Sequence, residues 1–245
     1  MRLLLIILIT SCFHTQSFTQ TFISSDQQWV QYYSQIDINK KSRLGFDAGF
    51  RWKNEFSDPS QFIVRISGWR KLNTKLSVGA GIAHSGYFNS GTISTFELRP
   101  HQELLFLHKY NRSNIQFRYK LEERFYSDQI ENESNQHRFV LRNRLVFSYT
   151  FFLARPFKKY ENTTLSLFIG DELFVNIKTN NTVLWFDQNR VLVGPILKFN
   201  QKFSMQFLYN LQLAPMSIKN NFRVTNVFWL SFRHTLDFSK AETIE

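Results

Sequence analysis

Ile115-Gln116-Phe117-Arg118-Tyr119-Lys120-Leu121-Glu122-Glu123-Arg124-Phe125 alternates apolar with polar or charged side chains. Ile115, Phe117, Tyr119, Leu121 and Phe125 fall on one parity, and Gln116, Arg118, Lys120, Glu122 and Arg124 fall on the other. Successive side chains of a strand point to opposite faces, so the stretch reads as a strand with one greasy face and one ionic face. A helix would mix the two sets. A soluble sandwich strand also alternates, but its polar face meets water and rarely carries so dense a row of opposed charges. A membrane barrel strand accounts for it, with aromatics toward lipid and charges toward the lumen.

The same alternation recurs along the chain. Leu44, Phe46, Ala48, Phe50 and Trp52 alternate with Arg43, Gly45, Asp47, Gly49, Arg51 and Lys53. Phe62, Val64 and Ile66 stand opposite Arg65 and Ser67, and Leu76, Val78, Ala80 and Ile82 opposite Ser77, Gly79 and Gly81. The small residues of that inward row would leave room for large neighbours. Glu97, Arg99, His101 and Glu103 share one face of a strand; Arg138, Arg142 and Arg144 share one face of another. Phe203, Met205, Phe207, Tyr209 and Leu211 oppose Ser204, Gln206, Asn210 and Gln212, and a last strand runs to Phe238. Breaks are expected at Asn39, at Ser57–Ser60, at Asn73, at Asn89–Ser94, at Tyr110, at Ser127–Gln136, at Arg155, at Lys178–Thr182, at Asn200 and at Ala214.

About eleven strong strands are legible, and single-chain bacterial barrels usually have an even number. Counting 19–25 as a further strand gives an all-β fold: a single antiparallel transmembrane β-barrel of about twelve strands, with ten as the alternative. Glu123, Asn143 and Asp171 fall on the outward parity, which places them at the rims or requires a bulge.

Met1-Arg2 followed by the apolar run Leu3–Ile9 is too short to span a bilayer and reads as a signal-peptide core. Residues 1–19 are therefore expected to be a signal peptide, 20–238 the barrel and 239–245 a polar C-terminal tail. Ile9-Thr10-Ser11-Cys12 is the competing lipoprotein-type site, and Cys12 is the single cysteine, so no intrachain disulfide exists. Lys and Arg number 30 against 19 Asp and Glu, a formal net charge of +11. That charge suits nucleic acid, an anionic surface or an anionic solute; export argues against nucleic acid.

Glu97-x-Arg99, Arg118-x-Lys120-x-Glu122-x-Arg124-Phe125, Arg138-x-x-x-Arg142-x-Arg144, Glu172-x-Phe174-x-Asn176 and Asn189-Arg190 occur in that order. The order resembles an uncharacterised family of bacterial outer-membrane β-barrel proteins, domain of unknown function 2490. The resemblance covers nearly all of the chain after the signal segment. It implies an outer-membrane barrel, with outer-membrane lipid and the barrel-assembly machinery as partners, and supplies no activity. The tail after Phe238 departs from the common ending on an aromatic residue.

No reaction is expected. His84-Ser85 places base and nucleophile on opposite faces of a strand, and His101 with Glu103 lacks a nucleophile in the local pattern. The six His have no metal-ligand spacing, and no cofactor is expected. The candidate site is a lumen charge cluster of Glu97, Arg99, Arg118, Glu122, Arg124, Arg138, Arg142, Arg144, Glu172 and Arg190. Three readings follow: a lumen closed by an Arg/Glu network, a small anion-preferring channel, or a surface-interaction protein working through its loops.

Overall fold

Each alternating stretch is a strand. The computed structural model describes residues 21–129, 135–157, 162–179, 184–216 and 221–238. The expected signal segment 1–19 with Cys12, and the tail 239–245, lie outside the described residues. Eleven strands follow in chain order: β1 Thr21–Asp37, β2 Ser42–Lys53, β3 Asp58–Lys71, β4 Leu76–Asn89, β5 Thr92–Lys109, β6 Ser113–Asp128, β7 Gln136–Ala154, β8 Thr164–Thr179, β9 Phe186–Lys198, β10 Phe203–Pro215 and β11 Asn221–Asp237. Each pairs with the next in sequence, and β1 pairs with β11 to close a barrel.

The strand number differs from both twelve and ten. Residues 21–25 do not form a separate strand; they continue into β1, which runs unbroken for 17 residues. An up-and-down meander with an odd number of strands brings its first and last strands side by side in the same direction. The closing ladder is accordingly parallel, with Trp29 opposite Trp229 and Asp37 opposite Asp237, so the barrel is not antiparallel throughout.

Turn chemistry explains the other differences. The expected loop at 89–94 is a two-residue hairpin, with Ser90 and Gly91 at φ 50° and 81°. Positive φ at both central positions gives the twist that strands of a tight hairpin need. The break expected at Ser57–Ser60 lies earlier, where Asn54, Glu55 and Phe56 all have positive φ. Asn39, Asn73 and Asn200 share one device. The side-chain carbonyl of each accepts the backbone N–H groups two and three residues on, at 2.7–2.9 Å. These side chains mimic a backbone turn and hold three hairpins at the same barrel end.

The two faces have opposite character. Phe46, Ile66, Leu98, Phe117, Phe125, Phe147, Ile169, Val191, Phe207 and Phe228 are exposed on the outside, whereas Glu97 and Glu122 are 0% and 1% exposed inside. Glu123, Asn143 and Asp171 do keep the outward parity, and the register shift between Leu141 and Arg142 in the β7–β8 ladder does not turn Asn143 inward. Each accepts a hydrogen bond from a neighbouring strand: from Gln102 at 3.2 Å, Tyr119 at 2.7 Å and Asn189 at 3.1 Å. On the inner face the Trp69 ring lies against Gly45 and Gly79, where an added Cβ would stand 2.5 and 2.3 Å from it. The small inward residues thus accommodate one large ring. No helix among the described residues is long and apolar enough to cross a membrane, which says nothing of strands.

Candidate functional site

Three carboxylates organise the interior. On β5, Glu97 and Arg99 are two residues apart and so share the inner face; the guanidinium donates to both carboxylate oxygens at 2.8 and 2.7 Å. Arg124 on β6 donates to Glu97 at 2.6 Å, and the Tyr87 hydroxyl on β4 donates at 2.5 Å. Glu122 on β6 accepts two bonds from Arg142 on β7, at 2.8 and 2.5 Å, and lies 3.9 Å from Arg99 and 3.8 Å from Arg144. Glu172 on β8 accepts from Arg144 at 2.9 Å through both oxygens, with Arg190 of β9 at 3.5 Å and Arg118 of β6 at 3.9 Å. Arg99 links the first carboxylate to the second, and Arg144 links the second to the third.

Nine of the ten candidate residues therefore meet in one network: Glu97, Arg99, Arg118, Glu122, Arg124, Arg142, Arg144, Glu172 and Arg190. Arg138 does not join it. It pairs with Asp128 at 3.7 Å, packs over the Tyr126 ring at 4.1 Å and is a third exposed at the barrel mouth. It has the right parity, but its place at the start of β7 puts it near the strand end, beyond reach of the three Glu.

Several participants were not among the candidates. Asp187 at the start of β9 accepts from Arg142 at 2.6 Å and lies 3.8 Å from Arg124. Asp47 on β2 takes a two-bond fork from Arg65 on β3, at 2.9 Å each, plus a bond from Gln31 at 2.6 Å. Lys120 pairs with Glu103 at 3.0 Å, and Trp69 Nε1 donates to the same carboxylate. Parity alone marks Asp47, Glu103, Lys120 and Arg65 as inward; Asp187 adjoins a connection and carries no such mark. Arg51 lies over the Trp29 ring at 3.8 Å and donates to Gln61 at 2.5 Å.

Chemically the interior is a set of guanidinium–carboxylate forks, the geometry in which Arg binds oxyanions most strongly. Charges removed from bulk water need such partners to persist. An apolar ring sits among them: Phe174 is 1% exposed, and Arg142, Arg144 and Arg190 lie 4.6–5.0 Å from its centroid. A cavity of about 1110 Å³ runs beside the network, lined from Asn39 and Lys41 at one end to Lys53, Arg138 and Pro215 at the other.

His84 packs outside against Phe62 and Phe96, while Ser85 is buried inside, so the two face apart. The hydroxyl near His101 is instead Ser67, at 3.2 Å from Nε2 across two strands. His101 is 2% exposed, and the adjacent Glu103 is engaged by Trp69 and Lys120. Among the described residues no group of three His, Cys, Asp or Glu is placed to hold a metal ion.

No curated protein and no solved structure matches the chain. Residues 26–223, from β1 to the start of β11, match the family described as Protein of unknown function (DUF2490). The matched span includes every residue of the charged network, and the chain belongs to the DUF2490 family.

Proposed function

We propose that the chain is exported through its N-terminal segment and inserts as a bacterial outer-membrane β-barrel whose interior is closed to bulk solute flow by the Arg–carboxylate network. The observation that carries this reading is the inverted polarity of the barrel. Aromatic and aliphatic side chains cover the outside, and the most deeply buried large side chains include Glu97, Glu122 and His101. In water that arrangement leaves an apolar belt exposed and buries ionised groups, both unfavourable. In a bilayer the belt contacts lipid, and the closed ladder leaves no strand edge to hydrocarbon. Barrels of this size lie between small side-chain-filled barrels and open porins.

Cell fractionation with heat-modifiable electrophoretic mobility tests location: recovery in the outer membrane, with mobility that shifts on heating, is expected. A soluble periplasmic protein of unchanged mobility rejects the reading. The cavity reaching residues of both barrel ends supports a second reading, a small anion-preferring channel. Planar-bilayer recording separates the two. Little steady conductance is expected; large, steady, anion-selective conductance from the unmodified protein replaces closure by the channel.

A further inference from the structure

The interior cations outnumber the carboxylates. Arg51, Arg65, Arg99, Arg118, Lys120, Arg124, Arg142, Arg144 and Arg190 are nine, against six in Asp47, Glu97, Glu103, Glu122, Glu172 and Asp187, a surplus of three. Eight of the nine are arginine, which does not lose its proton in proteins, so a surplus of at least two persists unless an anion from solution neutralises it. The least satisfied cations are identifiable. Arg51 has no carboxylate within 4.0 Å among the described residues and rests on Trp29 and Gln61. Arg190 and Arg118 stand 3.5 and 3.9 Å from a Glu172 that Arg144 already holds at 2.9 Å, and the Nε of each is buried without a hydrogen-bond partner.

Arg190 links the other two. Arg51 and Arg190 both approach the Trp29 ring, at 3.8 and 5.2 Å, and Arg190 and Arg118 share Glu172. All three line the 1110 Å³ cavity. We infer that this part of the lumen is a binding site for a soluble multivalent oxyanion of the phosphate or polycarboxylate type, held by Arg51, Arg190 and Arg118. Guanidinium forks match the oxygens of such anions and gain less from a halide. Lys41 and Lys71 line the cavity at the barrel end with the Asn-capped hairpins and raise the local anion concentration there. The inference rests on the reading of the interior as a closed lumen, in which a solute is retained and not passed.

The test is calorimetric titration of the detergent-solubilised full chain with inorganic phosphate and, separately, with citrate, in chloride buffer. Saturable binding of at least one is expected. Arg51→Gln and Arg190→Gln should each weaken it by about tenfold or more, the scale of a lost charge-assisted hydrogen bond. Arg43→Gln, at the mouth and paired with Asp37 at 2.5 Å, should change it by less than about threefold, because that pair is partly open to water and already satisfied. Two flat titrations, or binding unchanged in both lumen variants, overturn the site. Where Arg51→Gln lacks heat-modifiable mobility, Arg51→Lys decides: it keeps the charge and removes the fork, and undiminished binding overturns the site. Conductance is measured without ligand, so a flat titration leaves closure standing and an open pore leaves the titration interpretable.

Discussion

Glu122, like Glu172, lies within 4 Å of three guanidiniums. Changing it to Gln removes one negative charge and leaves Arg142, Arg99 and Arg144 near a neutral amide. Breaking a buried pair by deleting one partner costs about 3–5 kcal/mol, because the remaining charge stays out of water. Glu122→Gln should therefore lower the unfolding free energy of the detergent-solubilised barrel by that amount, read as a lower urea midpoint, whereas Glu55→Gln, in the exposed turn after β2, should stay within about 0.5 kcal/mol. Equal midpoints for the two variants would remove the network from the account of stability. By contrast, Arg51→Gln deletes a cation from a surplus and should leave the midpoint unchanged or raise it when no oxyanion is present. Parity in the sequence identifies Glu122 as inward; that three Arg converge on it is visible only across β5, β6 and β7.

At the scale of the strand, alternation decides which medium each side chain meets. On β6, Phe117 is 40% exposed and Lys120 is 3% exposed. Single cysteines at Phe117, Phe147 and Phe207 should react with or be quenched by probes dissolved in lipid, while cysteines at Arg118 and Gln206 should not. Equal lipid accessibility at 117 and 118 would remove the strand reading of the opening stretch. Two prolines, Pro100 and Pro195, lie away from the strand ends, where the missing N–H leaves a place in the ladder unfilled. Opposite Pro100 the β5–β6 ladder passes from Leu98 to His101, and opposite Pro195 the β9–β10 ladder passes from Ile196 to Val193, each without a change of register. These strands were legible despite their prolines, because the alternation continues on both sides. The hairpin at Ser90-Gly91 was not legible as such, because polar residues flank the turn and extend the appearance of a loop.

For the whole molecule the decisive contact joins β1 to β11. The Ser25 and Thr225 hydroxyl oxygens are 2.9 Å apart across this parallel ladder, and the Trp29 and Trp229 rings meet edge-on at 5.4 Å. Ser25→Cys with Thr225→Cys should therefore form a disulfide under oxidising conditions, with Cys12 replaced by Ser where that residue remains on the chain. The cross-link closes a loop of 200 residues and should speed migration on a denaturing gel without reductant. Absence of the cross-link in correctly inserted protein would mean that another strand separates β1 from β11. The eleven-strand count and its parallel closure follow from this contact and were not legible in the sequence, where residues 21–25 resemble a separate strand. The amino-acid sequence by itself determined the faces: period-two alternation is a property of each strand alone, so Glu97, Arg118, Glu122, Arg142 and Glu172 are inward whatever their neighbours. The tertiary structure alone decided how many strands close the barrel, which charges meet, and that Arg51, Arg118 and Arg190 are left in surplus while Arg138 is not. Those outcomes depend on the stagger accumulated from strand to strand around the whole circumference. No single stretch of the chain carries that quantity.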